Sequence, residues 1–479
     1  MRRAAGKRIL AAAAFALLAS GGVRAGENAA TAGGAVEKDT TWKGRVLVER
    51  SVTVAKGVVL TVSPGAVVTF AKGAGLTAEG SLVATGTKDA PVRFASALEN
   101  PSPGDWEGIR FAESAAGSVL SGCVVRDAAA VDIFGPEVEV RDCDIGKGKV
   151  GLIIRQKTNP KVVGNVVADM TEGGIQVTPG SYPAIEGNTL RACGPYGIEC
   201  PQNSAPVIRG NEISGCERGL SVSGAIPPVE GNVFRKNVAG LVVTSSGSGA
   251  SIRGNRFDGN ETGLFCEQFS DPLVEGNTFT GNNVALLCFR SSSPLVRNNE
   301  IAGNDQGIVC TQLCHPKIVG NEIRGNRKGI YLTLSSYATA NGNNIHGNEV
   351  QMELGNMSSD WERRVRQKPV RGSAAQMATQ LGRGVASARE MRQLSGDNAV
   401  IAGSVDATGN WWGEKDTGEM EAKGPDANIG GLVDYFDVPV RTYDEDPVEY
   451  VQDRIVYEGW KKTRIPGAGL PGKGKGTAG

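Results

Sequence analysis

Between residues 150 and 345 the apolar positions recur in a frame far longer than the 3.6-residue interval of a helix. One set reads Val162, Ile185, Ile208, Val229, Ile252, Val274, Val296 and Ile318, and a second Val167, Leu190, Ile213, Phe234, Phe257, Phe279, Ile301, Ile323 and Ile345. A third reads Leu152, Ile175, Ile198, Leu220, Leu241, Leu264, Leu286, Ile308 and Ile330. Members of each set follow one another at 21 to 23 residues, in step with asparagines at 165, 188, 211, 232, 255, 277, 299, 321 and 343. A glycine precedes each of these asparagines except Asn299, where Asn298 takes its place. A second marker stands about ten residues downstream: Gly151, Gly174, Gly197, Gly219, Gly240, Gly263, Ala285, Gly307 and Gly329. So few residues, so often broken by Gly, Asn and Pro, do not hold a helix pair; they hold three short strands and three turns. The pattern predicts an all-β solenoid, a parallel β-helix whose coils lie about 4.8 Å apart and whose three apolar stacks fill the interior.

Stacking gives the polar positions their roles. An asparagine repeated at one turn bonds the amide one coil away and the local backbone, which makes the 165 to 343 column a structural ladder. A second ladder is expected at Asn237, Asn260, Asn282, Asn304, Asn326 and Asn348. Just before the first ladder the outward position alternates Glu186, Arg209, Glu230, Arg253, Glu275 and Arg297, a cross-strand ion-pair ladder. The chain balances 51 basic against 51 acidic residues and has no basic stripe, so nucleic-acid binding has no support.

One outward column breaks the polar rule. It starts mixed, with Ile153, Gln176, Glu199 and Ser221, and then becomes Val242, Phe265, Leu287, Val309 and Tyr331. Gln268, Phe269, Phe289, Arg290 and Gln312 fall in the strand ends and turns that follow. A contiguous apolar stripe is ordinarily covered or used. Aromatic faces beside amide and guanidinium donors suit a sugar chain. Three readings stay open: cover by another part of the chain, a ligand or partner surface, and catalysis.

The rhythm stops near residue 355, and an insertion spans 356–398 before Gly409 and Asn410 resume the ladder. Within it Met377, Leu381, Val385, Ala388 and Met391 share one helical face, so a short amphipathic helix is expected there as the cover. The first residues combine Arg2, Arg3, Lys7 and Arg8 with an apolar run from Ile9 to Ala19 and small residues up to Ala25, the pattern of a secretory signal cleaved after Ala25. No other segment reaches the ~18–20 apolar residues of a membrane helix. The expected organisation is a signal over 1–25, a linker over 26–40, the β-helix over 41–440, and an extension with a disordered tail over 441–479. Export to the periplasm or beyond follows.

Residues 58–70 (VVLTVSPGAVVTF), 80–94 (GSLVATGTKDAPVRF) and 105–111 (DWEGIRF), the repeats, and GNWWG at 409–413 together resemble the secreted right-handed parallel β-helix repeat proteins, over roughly residues 42–440. The resemblance implies the pectate-lyase-like fold, and the right-handed crossover preference agrees. It leaves activity open, because that family includes lyases, hydrolases, epimerases, adhesins and accessory factors. Accessory proteins of nitrous-oxide reductase also resemble this fold, which brings in copper. Seven methionines, two histidines and largely interior cysteines are poor material for a dedicated metal site, and none is expected.

The nine cysteines follow the coils. Cys123 and Cys143 stand in the first asparagine column, Cys193 and Cys216 in the second, and Cys266, Cys288 and Cys310 in one interior stack. Stacked thiols and disulfides both remain open for the first two pairs. Cys310, Cys314 and His315 loosely echo a haem-attachment motif, but Cys310 should point inward and no cofactor is expected. His346 reads as a surface side chain, and Asp444, Glu445 and Asp446 as a solvated acidic loop. No Asp pair recurs on neighbouring coils, as sugar-cleaving chemistry would need. The functional expectation is an exported, non-catalytic β-helix binding a polysaccharide or a cell-envelope protein along its long face. The alternative is a polysaccharide lyase or glycoside hydrolase.

Overall fold

A computed structural model describes residues 29–155, 157–224, 228–355, 357–360, 403–434, 440–441 and 449–470. The signal-like segment, the amphipathic face from Met377 to Met391 and the acidic run 444–446 lie outside the described residues. Parallel strands stack coil on coil along three faces. The strands before the asparagine ladder form a sixteen-stranded sheet ending in Arg454–Val456, and the other two faces join in a sheet of 29 strands. Every member of the three apolar sets is fully buried. A fourth interior stack lies two residues beyond the third set and holds Val243, Cys266, Cys288, Cys310 and Leu332. Phe234, Phe257 and Phe279 stack face to face at 5.0 and 4.6 Å. Burying each such side chain is worth ~1.5–3 kcal/mol, so identical interiors on successive coils hold the register.

Both asparagine ladders form. In the first, each amide accepts from the preceding asparagine's backbone N–H and side chain; Asn255, for example, gives both bonds to Asn277 Oδ1 at 2.9 and 3.0 Å. The ladder runs on from Asn343 to Asn410. The residue before each asparagine sits in the left-handed region, as Gly254 does at φ 61°, and Asn298 fills the same place at φ 54°. The second-marker glycines serve a different need: a Cβ on Gly240 would meet the carbonyl oxygen of Gly263 at 2.6 Å. Of the ion-pair column, Arg209 bridges Glu186 and Glu230, and Glu275 bridges Arg253 and Arg297.

A third ladder was not anticipated. Thr158, Ser181, Ser204, Ser246, Ser270, Ser292, Cys314, Ser336 and Ser358 are all buried at the turn after the third face. Ser270 and Ser292 each donate to the carbonyl three residues earlier, at 2.6 and 2.9 Å, while Ser292 Oγ accepts from the backbone N–H of Ser270. Cys314 is a member, with its Sγ 3.1 Å from the Thr311 carbonyl and its N–H on Ser336. The coil itself therefore accounts for the spacing to Cys310. All nine cysteines are buried free thiols.

The ends differ from expectation. Strand Ala30–Val36 lies in the stretch read as a linker, yet it pairs in parallel with Arg45–Val54, because an open first coil needs its edge covered. At the other end Arg454–Val456 pairs with Ser404–Asp406, beyond the expected limit of residue 440. Helix Gly413–Lys423 lies against the last coils. Residues 465–470, within the stretch expected to end in a disordered tail, are bonded there: Ile465 N donates to Asn344 Oδ1 and Gly469 N to the Gly320 carbonyl, both at 2.8 Å. No helix among the described residues is long and apolar enough to cross a membrane.

Candidate functional site

The third face brings the stripe together. Val242, Phe265, Leu287, Val309 and Tyr331 are register partners on five successive coils. The column is less bare than alternation alone implies: Val242 and Val309 are 6% and 8% exposed, and the other three are half-buried. Flanking side chains lean over it. Phe265 and Phe289 meet at 6.1 Å with tilted rings, and the Arg290 guanidinium lies 4.9 Å from the Phe289 centroid. Arg290 also reaches Glu267 at 3.4 Å. One coil beyond Val309, the Lys328 ammonium sits 4.4 Å over Tyr331 and 2.7 Å from Glu353.

Gln268, Phe269, Arg290 and Gln312 occupy the corner that follows. Their φ angles are 55°, 56°, 52° and 62°, left-handed values that non-glycine residues seldom adopt. The corner holds because its backbone is bonded from coil to coil, with Phe269 N donating to the Arg290 carbonyl at 3.1 Å and Ser291 N to the Gln312 carbonyl at 2.9 Å. This geometry turns Phe269 outward, 41% exposed, and leaves Gln312 exposed beside half-buried Gln268 and Arg290. The result is a strip with an apolar floor and amide, guanidinium and carboxylate groups along its edge.

The carboxyl-terminal end is a second concentration of chemistry that the sequence reading passed over. His346 is no ordinary surface side chain. Its Nε2 lies 2.7 Å from Glu322 Oε1, and its ring packs 4.9 Å from that of Trp411. Glu322 also accepts from Asn344 and Arg464, both at 2.9 Å. Burial pushes the Glu322 carboxyl up, but the hydrogen bonds from His346, Asn344 and Arg464 outweigh it and hold the group at about 2. Beside this cluster lies a cleft of about 400 Å³ between the His346–Gln351 turn and the start of helix Gly413–Lys423. Only the GNWWG run, two tryptophans between two glycines, hinted at it.

With stacked parallel coils, three faces and the asparagine ladder in place, the chain belongs to the right-handed parallel β-helix repeat proteins; the family described as right handed beta helix region matches residues 223–362. The family described as periplasmic copper-binding protein (NosD) matches residues 107–287, which makes this part of the chain similar to that family. A search of curated proteins returns no match. Together these findings support an exported β-helix protein.

Proposed function

We propose that this exported β-helix is a non-catalytic binding protein whose third face, from Val242 to Tyr331, takes a polysaccharide chain. The observation that carries the reading is five apolar side chains in register, bordered by the Arg290–Glu267 and Lys328–Glu353 pairs. Pyranose C–H faces pack on such a floor while ring hydroxyls exchange bonds with its polar edge. Over four coil steps the floor runs roughly 19 Å, which favours a chain over a single small molecule. Glycoside hydrolysis needs two carboxyl groups roughly 5–9.5 Å apart across the scissile bond. Glu267 and Glu353 are separated by several coils and each is held by a cation, which supports binding without cleavage.

The similarity to a periplasmic copper-binding family raises metal handling as a second reading. Both histidines and all nine cysteines are among the described residues, and among those residues no three His, Cys, Asp or Glu side chains gather as a metal site. His315 lies against Tyr337, His346 is engaged by Glu322, and the thiols are inside the core. Among the described residues, these histidines and cysteines are not arranged to hold a resident copper ion.

Calorimetry of the purified protein against uronate and neutral polysaccharides tests the binding reading, with a parallel assay for unsaturated ends and new reducing sugars. Binding that is lost in a Phe265→Ala, Phe289→Ala double variant, without product release, is expected. Accumulating products would move the chain to the lyase or hydrolase alternative, and binding indifferent to the double variant would remove the long face from consideration.

A further inference from the structure

We infer that the second face, at its last coils, carries a recognition site for a turn-forming peptide, filled at rest by the chain's own residues 464–469. The partner it fits is a protein presenting the same kind of segment: an arginine, an apolar residue, a Pro-Gly turn and a closing glycine. The second face is built from the strands just after the asparagine ladder, and its outward column runs Thr189, Glu212, Val233, Arg256, Thr278 and Glu300, each half-buried or exposed. The next two register partners break that rule, with Glu322 at 5% and Asn344 at 0% exposure. Both are bonded to the returning tail. Arg464 donates to Glu322 Oε2 at 2.9 Å, and Asn344 grips both backbone groups of Ile465, accepting from its N–H at 2.8 Å and donating to its carbonyl at 3.1 Å.

Each contact reads one feature of a peptide. Glu322 already accepts from Asn344 and His346, and a guanidinium ahead of the turn completes its donors with a charge-assisted bond. The amide of Asn344 reads backbone alone, so it tolerates any side chain at the position of Ile465. Pro466 and Gly467 then reverse the chain: the Ala468 N–H points to the Ile465 carbonyl at 3.4 Å, with Gly467 at φ 83°. A Pro-Gly pair favours this turn by itself, so the segment arrives already shaped. Gly469 closes the motif by donating to the Gly320 carbonyl at 2.8 Å. Its φ is 97°, and a Cβ there would meet that of Glu322 at 3.1 Å, so larger residues are disfavoured. The tail is lightly held. Arg464, Pro466 and Gly467 are exposed, and Ile465 and Ala468 only half-buried, so few apolar contacts oppose its release. A partner that offers the same turn and adds contacts of its own displaces it. The site does not depend on the long face from Val242 to Tyr331.

The test uses the full chain and a labelled synthetic peptide of residues 461–470, KKTRIPGAGL. An Arg464→Ala, Gly469→Val double variant weakens the tether of the chain's own tail and leaves the groove side chains untouched. By fluorescence anisotropy this variant should bind the peptide saturably, and at least tenfold more tightly than the wild type, whose groove is occupied by a tethered competitor. Peptides carrying Arg464→Ala or Gly469→Val, and a scrambled peptide, should bind the double variant at least tenfold more weakly. Adding Glu322→Gln to the double variant should have a similar effect. Absence of binding to the double variant, equal binding of the scrambled peptide, or equal binding by the wild type would each overturn the assignment. Should the double variant fail to fold, the wild type carries the test: excess peptide should displace the tail and speed hydrogen exchange at Ile465 and Gly469. Unchanged exchange at those two amides would then overturn it.

Discussion

Removing one rung of the first asparagine ladder is the most direct probe of what holds the coils in register. In Asn277→Ala the backbone N–H and the Nδ2 of Asn255 both lose their acceptor, Asn277 Oδ1 at 2.9 and 3.0 Å. The Ile252 carbonyl and Asn299 Oδ1 each lose a donor, at 2.9 and 3.0 Å. Asn255, Ile252 and Asn277 are at most 1% exposed, so water cannot substitute. Taking ~1–3 kcal/mol for the stranded N–H and ~0.5–1.5 for each of the other three bonds, the cost is about 2.5–7.5 kcal/mol. Arg209→Ala on the exposed ion-pair column removes two salt bridges yet should cost less than ~1 kcal/mol. Coils are stabilised mainly by their neighbours, so one global unfolding energy can hide a local loss. Hydrogen exchange should therefore accompany denaturant unfolding, and protection should fall around residues 252–299. If Asn277→Ala costs no more than Arg209→Ala, the ladder is decoration and the argument is wrong.

Glycine substitutions should separate the two marker columns. Gly254→Ala, at φ 61° with open space around the new Cβ, should cost about 1–2 kcal/mol, and Gly254→Asn less, since Asn298 already occupies the equivalent turn. Gly240→Ala, driven against a backbone oxygen, should cost more than either in the same unfolding measurement. The Glu322 carboxyl is held at about 2, below its ordinary 4.5, so its stabilisation is present above 4.5 and is lost as pH falls from there through about 2. Melting curves at pH 7 and pH 3 should therefore lie closer together for Glu322→Gln than for the wild type, and an unchanged gap would contradict the assignment. All nine thiols are buried, and burial pushes that of Cys314 up to about 12, so a thiol reagent should label none in the native protein and nine after denaturation without reductant. Labelling of five would mean that Cys123–Cys143 and Cys193–Cys216 are bridged.

The solenoid was legible because three of its requirements are nearly exclusive. A left-handed turn calls for Gly or Asn, a ladder that must both donate and accept calls for Asn, and a shared interior calls for an apolar residue at every coil. The hydroxyl ladder was hidden for the opposite reason. Its geometry accepts Thr158, Ser270 or Cys314 alike, and serines abound at turns without stacking. The stripe was visible as a column, but its partial burial was not, since it depends on how Phe289, Arg290 and Lys328 lean across neighbouring coils. The carboxyl-terminal cleft was least legible. Its parts, from Glu322 to Arg464, meet only because the chain returns along the last coils, and no periodicity announces a contact of 142 residues' separation.

The ends explain why the unusual chemistry gathers where it does. In mid-solenoid each coil completes the amide ladders and apolar stacks of the next, and among the described residues only scattered hydroxyls, Thr178 Oγ1 and Ser251 Oγ, are left buried without a partner. At the last coil the second asparagine ladder runs out of repeats: Asn348 Nδ2 turns to Gln351 Oε1 at 2.7 Å, and Gln351 passes the chain of amides to Asp416. A carboxylate suits that position because every amide upstream points its N–H toward it. Burial nevertheless pushes the Asp416 carboxyl up, the Gln351 bond only partly offsetting it, and the second oxygen stays without a partner. Any terminus of a stacked amide ladder needs a final acceptor drawn from outside the repeat, and that residue is free of the repeat's constraints. The end of the solenoid is therefore where a binding group can be placed without disturbing the coils, while the long face must build its surface from outward side chains alone.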